Sequence, residues 1–130
     1  DFMVTEWAIL QARTGKAKAY QYRFTQVPPA ASGVAAGATH GAEVQYAFHN
    51  LDLMGKDWTE ADRKAEEIMS TYWVNFAKTG DPNGNGLPHW SSIQEQENSV
   101  LVISANPKMI PRPNMDQIEA EEDKYYAKSE

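Results

Sequence analysis

The stretch Thr59–Thr79, TEADRKAEEIMSTYWVNFAKT, decides how this chain is read. Ala61, Ala65, Ile68, Met69, Tyr72, Trp73, Phe76 and Ala77 recur at three- and four-residue intervals, so on a 3.6-residue turn they share one face. Asp62, Arg63, Glu66, Glu67, Ser70 and Lys78 fall opposite. The spacing predicts one amphipathic helix about 30 Å long. Thr59 stands as its N-cap with Glu60 and Asp62 in the first turn, and Lys78, Gly80 and Pro82 mark its end. Turn chemistry fills Asp81-Pro82-Asn83-Gly84-Asn85-Gly86, and Leu87-Pro88-His89-Trp90 follows as an irregular apolar plug.

Working outward toward the N-terminus, Met3 to Arg13 carries Met3, Trp7, Leu10 and Ala12 at helical spacing, with Gly15 placed to end the helix as a left-handed C′ residue. Ala19 to Thr25 alternates instead, Tyr20, Tyr22 and Phe24 on one face and Ala19, Gln21 and Arg23 on the other, which predicts a strand. Pro28 to Gly41 is almost all Pro, Ala, Gly, Ser and Thr, a composition that cannot pack itself and reads as a loop. Glu43 to Phe48 fits a short helical turn or a strand equally well. Toward the C-terminus Val100 to Ser104 predicts a short strand, Asn106 to Pro113 breaks regular structure with three prolines, and Asn114 to Ala127 reads as a helix opened by a capping box of Asn114 and Gln117. Glu119, Glu121, Glu122 and Asp123 form its solvated face. No internal repeat, linker or second domain is visible over residues 1–130.

Bulk composition narrows the function classes. At 130 residues, 42% hydrophobic and 23% charged, the chain has the size and composition of one globular domain. A net charge of −6 argues against nucleic acid, whose recognition rests on Lys and Arg neutralising phosphates. With no cysteine, disulfides and thiolate chemistry are excluded. No apolar run approaches the roughly 20 residues that span a bilayer, so no membrane partner is expected. The chain opens on Asp1-Phe2-Met3-Val4 without an initiator Met, which leaves any targeting signal upstream and the compartment open, the cytoplasm being slightly favoured.

His40, within Gly37-Ala38-Thr39-His40-Gly41-Ala42-Glu43, is presented from a turn of small residues. A lone histidine is most often a surface or satisfied core residue. Its context changes the weight. A strand, a small-residue loop with His and then Glu three residues on, a long amphipathic helix ending in Tyr72-Trp73-Val74-Asn75-Phe76-Ala77-Lys78-Thr79-Gly80-Asp81-Pro82-Asn83, and Leu87-Pro88-His89-Trp90 together resemble the C-terminal part of a type-B carboxylesterase. This is the cholinesterase-like group that includes the para-nitrobenzyl esterases. The resemblance runs from the first helix to the Val100 strand and is weak over the final acidic segment.

The resemblance implies an α/β fold, the C-terminal portion of an α/β-hydrolase, which as an isolated chain is mostly helical with few short strands. In that fold a serine on a nucleophile elbow attacks the ester carbonyl, histidine acts as base and an acid orients the histidine, in the chain order Ser, acid, His. Ala19–Thr25 would then be the last strand of the large sheet, and the loop after it would deliver His40 as the catalytic base. For Glu43 two readings stay open: a carboxylate supporting the active site, or an acid stabilised at a helix N-terminus. His49 and His89 match no catalytic position. His40 and Glu43 alone offer too few ligands for zinc, and no cofactor is implied.

Departures set the limits of the resemblance. The Gly-x-Ser-x-Gly elbow and the glycine-rich oxyanion segment are absent, and Asp1 and Glu6 match no triad acid. Ser32 stands where cholinesterases carry a bulky aromatic, with Ala35 and Ala36 after it, so choline specificity is not carried over. The parts expected elsewhere make an upstream portion of the same enzyme the first partner, and a small-molecule ester the substrate of the whole. A non-catalytic binding or adhesion module on the same fold is the competing reading. The Tyr20, Tyr22 and Phe24 face and the Thr59–Thr79 stripe are expected to lie open in the isolated chain and to drive self-association.

Overall fold

The computed structural model describes residues 2–29, 37–84 and 86–113, with Asp116 and Ala120 as isolated positions beyond them. Element order is α1 (Phe2–Thr14), β1 (Tyr22–Phe24), α2 (Val44–Ala47), a 3₁₀ turn (Leu51–Met54), α3 (Glu60–Thr79), β2 (Ser99–Ile103) and β3 (Lys108–Pro111). Most of the loop around Ser32, Ala35 and Ala36 and nearly all of the expected Asn114–Ala127 helix lie outside the described residues.

The predicted long helix forms with the predicted ends. Thr59 accepts the Asp62 backbone N–H on its side chain while the Asp62 carboxylate takes the Thr59 N–H, and Gly80 closes the helix with φ +76°, its N–H donated to the Phe76 carbonyl. α1 ends otherwise than expected. Gly15 has no positive φ; its N–H bonds the Gln11 carbonyl at 2.8 Å, and a Cβ there would stand 2.6 Å from that oxygen. Glycine is needed for close approach rather than for a left-handed turn.

The sheet corrects the expectation about its last strand. β1 pairs in parallel with β2, Tyr22 opposite Leu101 and Phe24 opposite Ile103, and β2 pairs antiparallel with β3, in the order β1-β2-β3. The Ala19–Thr25 segment is therefore followed by two more strands, and only Tyr22–Phe24 of it is in the ladder. The strand over Lys108–Pro111 lies where three prolines suggested irregular chain. Pro107 and Pro111 fit because the first precedes β3 and the second is its last residue, and β3 is an edge strand whose outer side needs no donor.

Side chains of the sheet and of α3 meet in one core: Tyr46, Leu51, Ala65, Met69, Tyr72, Trp90, Leu101 and Ile103, with Tyr20, Tyr22, Phe24 and Trp73 packed against it. Tyr22 meets Trp73 edge-on at 5.1 Å, Tyr72 meets Trp90 at 5.3 Å, and Tyr20 meets Phe76 at 6.0 Å. Trp90 is inserted where the plug was expected. Asn83 grips it, donating Nδ2 to the Trp90 carbonyl and accepting the Trp90 N–H at 2.7 Å. The aromatic strand face and the α3 stripe thus cover each other in large part, although Phe76 at the end of the stripe stays 48% exposed. Further exposed apolar side chains lie on α1 (Met3, Val4, Trp7, Leu10), around α2 and the 3₁₀ turn (Val44, Phe48, Leu53, Met54), and at Val27 and Val74.

Two acids expected on the solvated face of α3 are buried, Asp62 at 1% and Glu66 at 4% exposure. Burial raises the cost of charge at Asp62, yet its hydrogen bonds win. Thr59 donates its hydroxyl to Oδ2 at 2.6 Å and its N–H at 3.0 Å, while Gln26 and the Tyr46 hydroxyl each donate to Oδ1 at 2.9 Å. The carboxyl is held below its ordinary value as a result. Glu66 accepts the Leu51 N–H at 2.9 Å and so ties the 3₁₀ turn to α3.

Removing Asp62 leaves a buried phenol, an amide and a helix cap without their acceptor. Asp62→Ala should cost roughly 3 kcal/mol of unfolding free energy by chemical denaturation. A depressed carboxylate contributes stability that is complete above the unfolded value and is lost as pH falls through the folded one. Stability of the native chain should therefore decline below about pH 4, and Asp62→Asn should flatten that decline. A denaturation midpoint that is the same for Asp62→Ala and the native chain would show that the network carries no weight.

Candidate active site

His40 sits where two backbone features leave it exposed. Gly37 and Gly41 flank it with φ +79° and +80°, and the Ala42 N–H closes the turn on the Thr39 carbonyl at 3.0 Å. Ala42 is buried, so the turn is pinned directly after the histidine. α2 then begins at Val44 and carries the fully buried Tyr46, whose hydroxyl is locked on Asp62 of α3 and whose ring packs on Phe24 of β1 at 4.9 Å. Six residues beyond His40 the chain is thus tied to both the helix and the sheet.

The imidazole opens on a cleft of about 570 Å³ whose wall includes Gln21, Tyr22, Arg23 and Phe24 in sequence, Thr5 of α1, Glu43 and Arg112. Four consecutive residues of one strand segment line it because β1 is an edge strand. Its second side pairs with no strand among the described residues. The His40 ring itself makes no hydrogen bond among the described residues, which leaves both nitrogens available.

Glu43 occupies the N-cap position of α2 but makes no side-chain capping bond. It lines the same cleft as His40, and no hydrogen bond joins the two. Burial first, and then the Glu43 charge, pushes the Tyr22 hydroxyl up from its ordinary value. Of the other histidines, His49 has φ +52° and lies 3.3 Å through Nδ1 from Ser70 Oγ, and His89 lies 3.7 Å through Nε2 from Glu95. Neither lines the cleft.

Three cleft residues were not singled out by sequence. Arg112 is 6% exposed, with Nη1 donating to Gln21 Oε1 and Nη2 to the Glu97 carbonyl; burial pushes its guanidinium down from its ordinary value against the charges of Glu97 and Glu6. Gln21 also donates to Thr5 Oγ1 at 3.3 Å, which joins α1 to the strand. Arg23 stands in register with Val102 on the sheet face away from Tyr22 and Phe24. The one sequence signal for it was its outward place in Tyr20-Gln21-Tyr22-Arg23-Phe24. Nothing local marked Arg112.

A Cβ at Gly41 would meet no atom within 4 Å, so the cost of replacing this glycine is purely that of its left-handed backbone. Gly41→Asn should be mild, Gly41→Ala should cost about 1 kcal/mol and Gly41→Val about 2 kcal/mol, read by chemical denaturation. The opposite order would mean that the turn relaxes out of that conformation.

Known proteins place this geometry. The carboxylesterase family matches residues 3–125, which extends through the acidic segment where the motifs themselves are weak. The chain is 30% identical over 112 residues to cocaine esterase of Homo sapiens, covering 82% of this chain and 20% of that protein. To the liver carboxylesterase of Sus scrofa it is 31% identical over 105 residues, covering 78% and 18%. Among solved structures a Geobacillus stearothermophilus carboxylesterase superposes with a TM-score of 0.61 at 30% identity, over 80% of this chain and 22% of that one. A PNB esterase shares the fold with a TM-score of 0.65 at 22% identity, over 79% and 21%. The chain spans about a fifth of the length of each of these relatives, and it belongs to the carboxylesterase family, with the α/β-hydrolase fold.

Proposed function

We propose that this chain is the C-terminal part of a serine ester hydrolase and supplies the catalytic base, His40. The observation that carries the reading is an exposed imidazole with both nitrogens unengaged, held on an anchored turn beside the open edge of β1. A base for ester hydrolysis needs that arrangement. One nitrogen must come within about 2.6–3.2 Å of a serine hydroxyl while the other is held by a carboxylate. In this reading His40 takes the serine proton during attack on the ester carbonyl and returns it to the leaving alcohol.

The serine, the orienting acid and the oxyanion donors would come from an upstream portion of the same enzyme, seated with a strand against β1. Glu43 supports the site from the cleft wall. Relatives named for cocaine and for fatty acyl-CoA hydrolysis point to ester and thioester carbonyls as a class without fixing one substrate. Self-association of the isolated chain would run through the exposed α1 residues Met3, Val4, Trp7 and Leu10.

Turnover of a simple nitrophenyl ester separates the roles. Alone, the 130-residue chain should not exceed free imidazole, because each oxyanion donor it lacks is worth roughly 3 kcal/mol. Mixed with the upstream portion, it should restore turnover that a serine-directed inhibitor abolishes. His40→Gln in the mixture should lower kcat by about 10⁴-fold or more, and His89→Ala should leave it within about twofold. Serine-inhibitor-sensitive turnover by this chain alone, or full activity of His40→Gln in the mixture, would overturn the assignment.

A further inference from the structure

The chain carries a net charge of −6, yet the wall of the His40 cleft brings Arg23 and Arg112 together with one carboxylate among the described residues, Glu43. The chain's four arginines are not equivalent. Arg13 pairs with Glu97 at 2.9 Å and Arg63 with Asp52 at 2.6 Å, while Arg112 is engaged by Gln21 and the Glu97 carbonyl. Arg23 alone has no ion-pair or hydrogen-bond partner among the described residues, and it is exposed on the cleft wall beside the free edge of β1.

We infer that Arg23 is an anion-recognition residue of the His40 cleft, pairing with a carboxylate that enters beside the histidine. The inference rests on reading the cleft as an ester-hydrolase site, and it narrows that reading. Arginine presents a planar fork that matches a carboxylate with two parallel hydrogen bonds, and Arg112 on the same wall, already engaged and facing the charges of Glu97 and Glu6, leaves Arg23 as the guanidinium open to an incoming acid. A substrate could supply the carboxylate as the free acid group of a half-ester, anchored at Arg23 with its ester carbonyl turned toward His40. The upstream portion could supply it as an Asp or Glu on the segment that lies along β1. The chemistry at Arg23 is the same in both cases, and the two sources are separable.

The first arm titrates the 130-residue chain with monomethyl succinate and with dimethyl succinate while the Arg23 Nε–H and His40 ring signals are followed by NMR. If the substrate is the source, the half-ester gives saturable shifts with a dissociation constant on the order of 10 mM. Arg23→Gln should weaken this at least about tenfold, Arg23→Lys should recover part of it, and the diester should give none. The second arm measures the concentration of chain needed for half-maximal assembly with the upstream portion. If that portion is the source, Arg23→Gln raises this concentration about tenfold or more, the native assembly weakens with added salt, and neither succinate ester shifts the signals. Indifference of both arms to Arg23→Gln would overturn the inference and leave a solvated arginine. Hydrolysis of a neutral ester by the mixture reports on His40 separately. Turnover without any Arg23 effect sinks this inference alone, whereas Arg23-dependent binding without turnover sinks the hydrolase reading alone.

Discussion

The carboxylate of Asp62 is the point on which the rest of the chain hangs. It caps α3 through Thr59, receives Gln26 from the segment that leaves β1, and receives the hydroxyl of Tyr46 from α2. Three pieces of chain far apart in sequence are tied to one side chain, and the turn bearing His40 lies immediately before the third. A charge at this depth is costly unless several donors satisfy it, and four donors do. The same arrangement explains how a glycine-rich segment can hold an exposed side chain such as that of His40 in place. Small residues free the backbone to turn at Gly37 and Gly41, while fixity is supplied afterward by Ala42 and Tyr46.

The sheet has a different logic. β1 contributes only Tyr22–Phe24 to the ladder, too short to be stable by itself, and it is held by aromatic contacts with α3 and by hydrogen bonds from outside the strand. The Trp90 Nε1–H and the Leu101 N–H both donate to the Gln21 carbonyl, and the Thr25 N–H donates to Ile103. One side of β1 is thereby committed to β2. Its other side borders the His40 cleft, so an element pairing there would be brought to the histidine by main-chain hydrogen bonds alone.

How legible this was depended on whether a feature is written locally. The α3 helix could be read with both of its ends, because periodicity, a Thr-x-x-Asp cap and a Gly-Asp-Pro stop are all contained in the segment. His40 could be singled out from its small neighbours and from the family motif. The burial of Asp62 and Glu66 could not, since helical spacing alone puts both among polar residues; only the arrival of Tyr46 and Leu51 turns their side of the helix inward. The β3 strand was hidden by its prolines, which exclude a central strand but not an edge. Parallel pairing of β1 with β2 joins residues roughly 80 positions apart and leaves no local mark. Arg112 reached the cleft by that same long-range route.

These facts bear on what a lone imidazole can do. His40 has position, exposure and an anchored backbone, but a proton acceptor accelerates ester hydrolysis only when a nucleophile and a place for the developing oxyanion are held against it. Among the described residues the cleft offers two guanidinium groups, a carboxylate and an open strand edge, and no serine lines it. Under the proposed reading the nucleophile and the oxyanion donors arrive with a partner segment, for which the unpaired side of β1 is a strand edge and Arg23 a place for an acid.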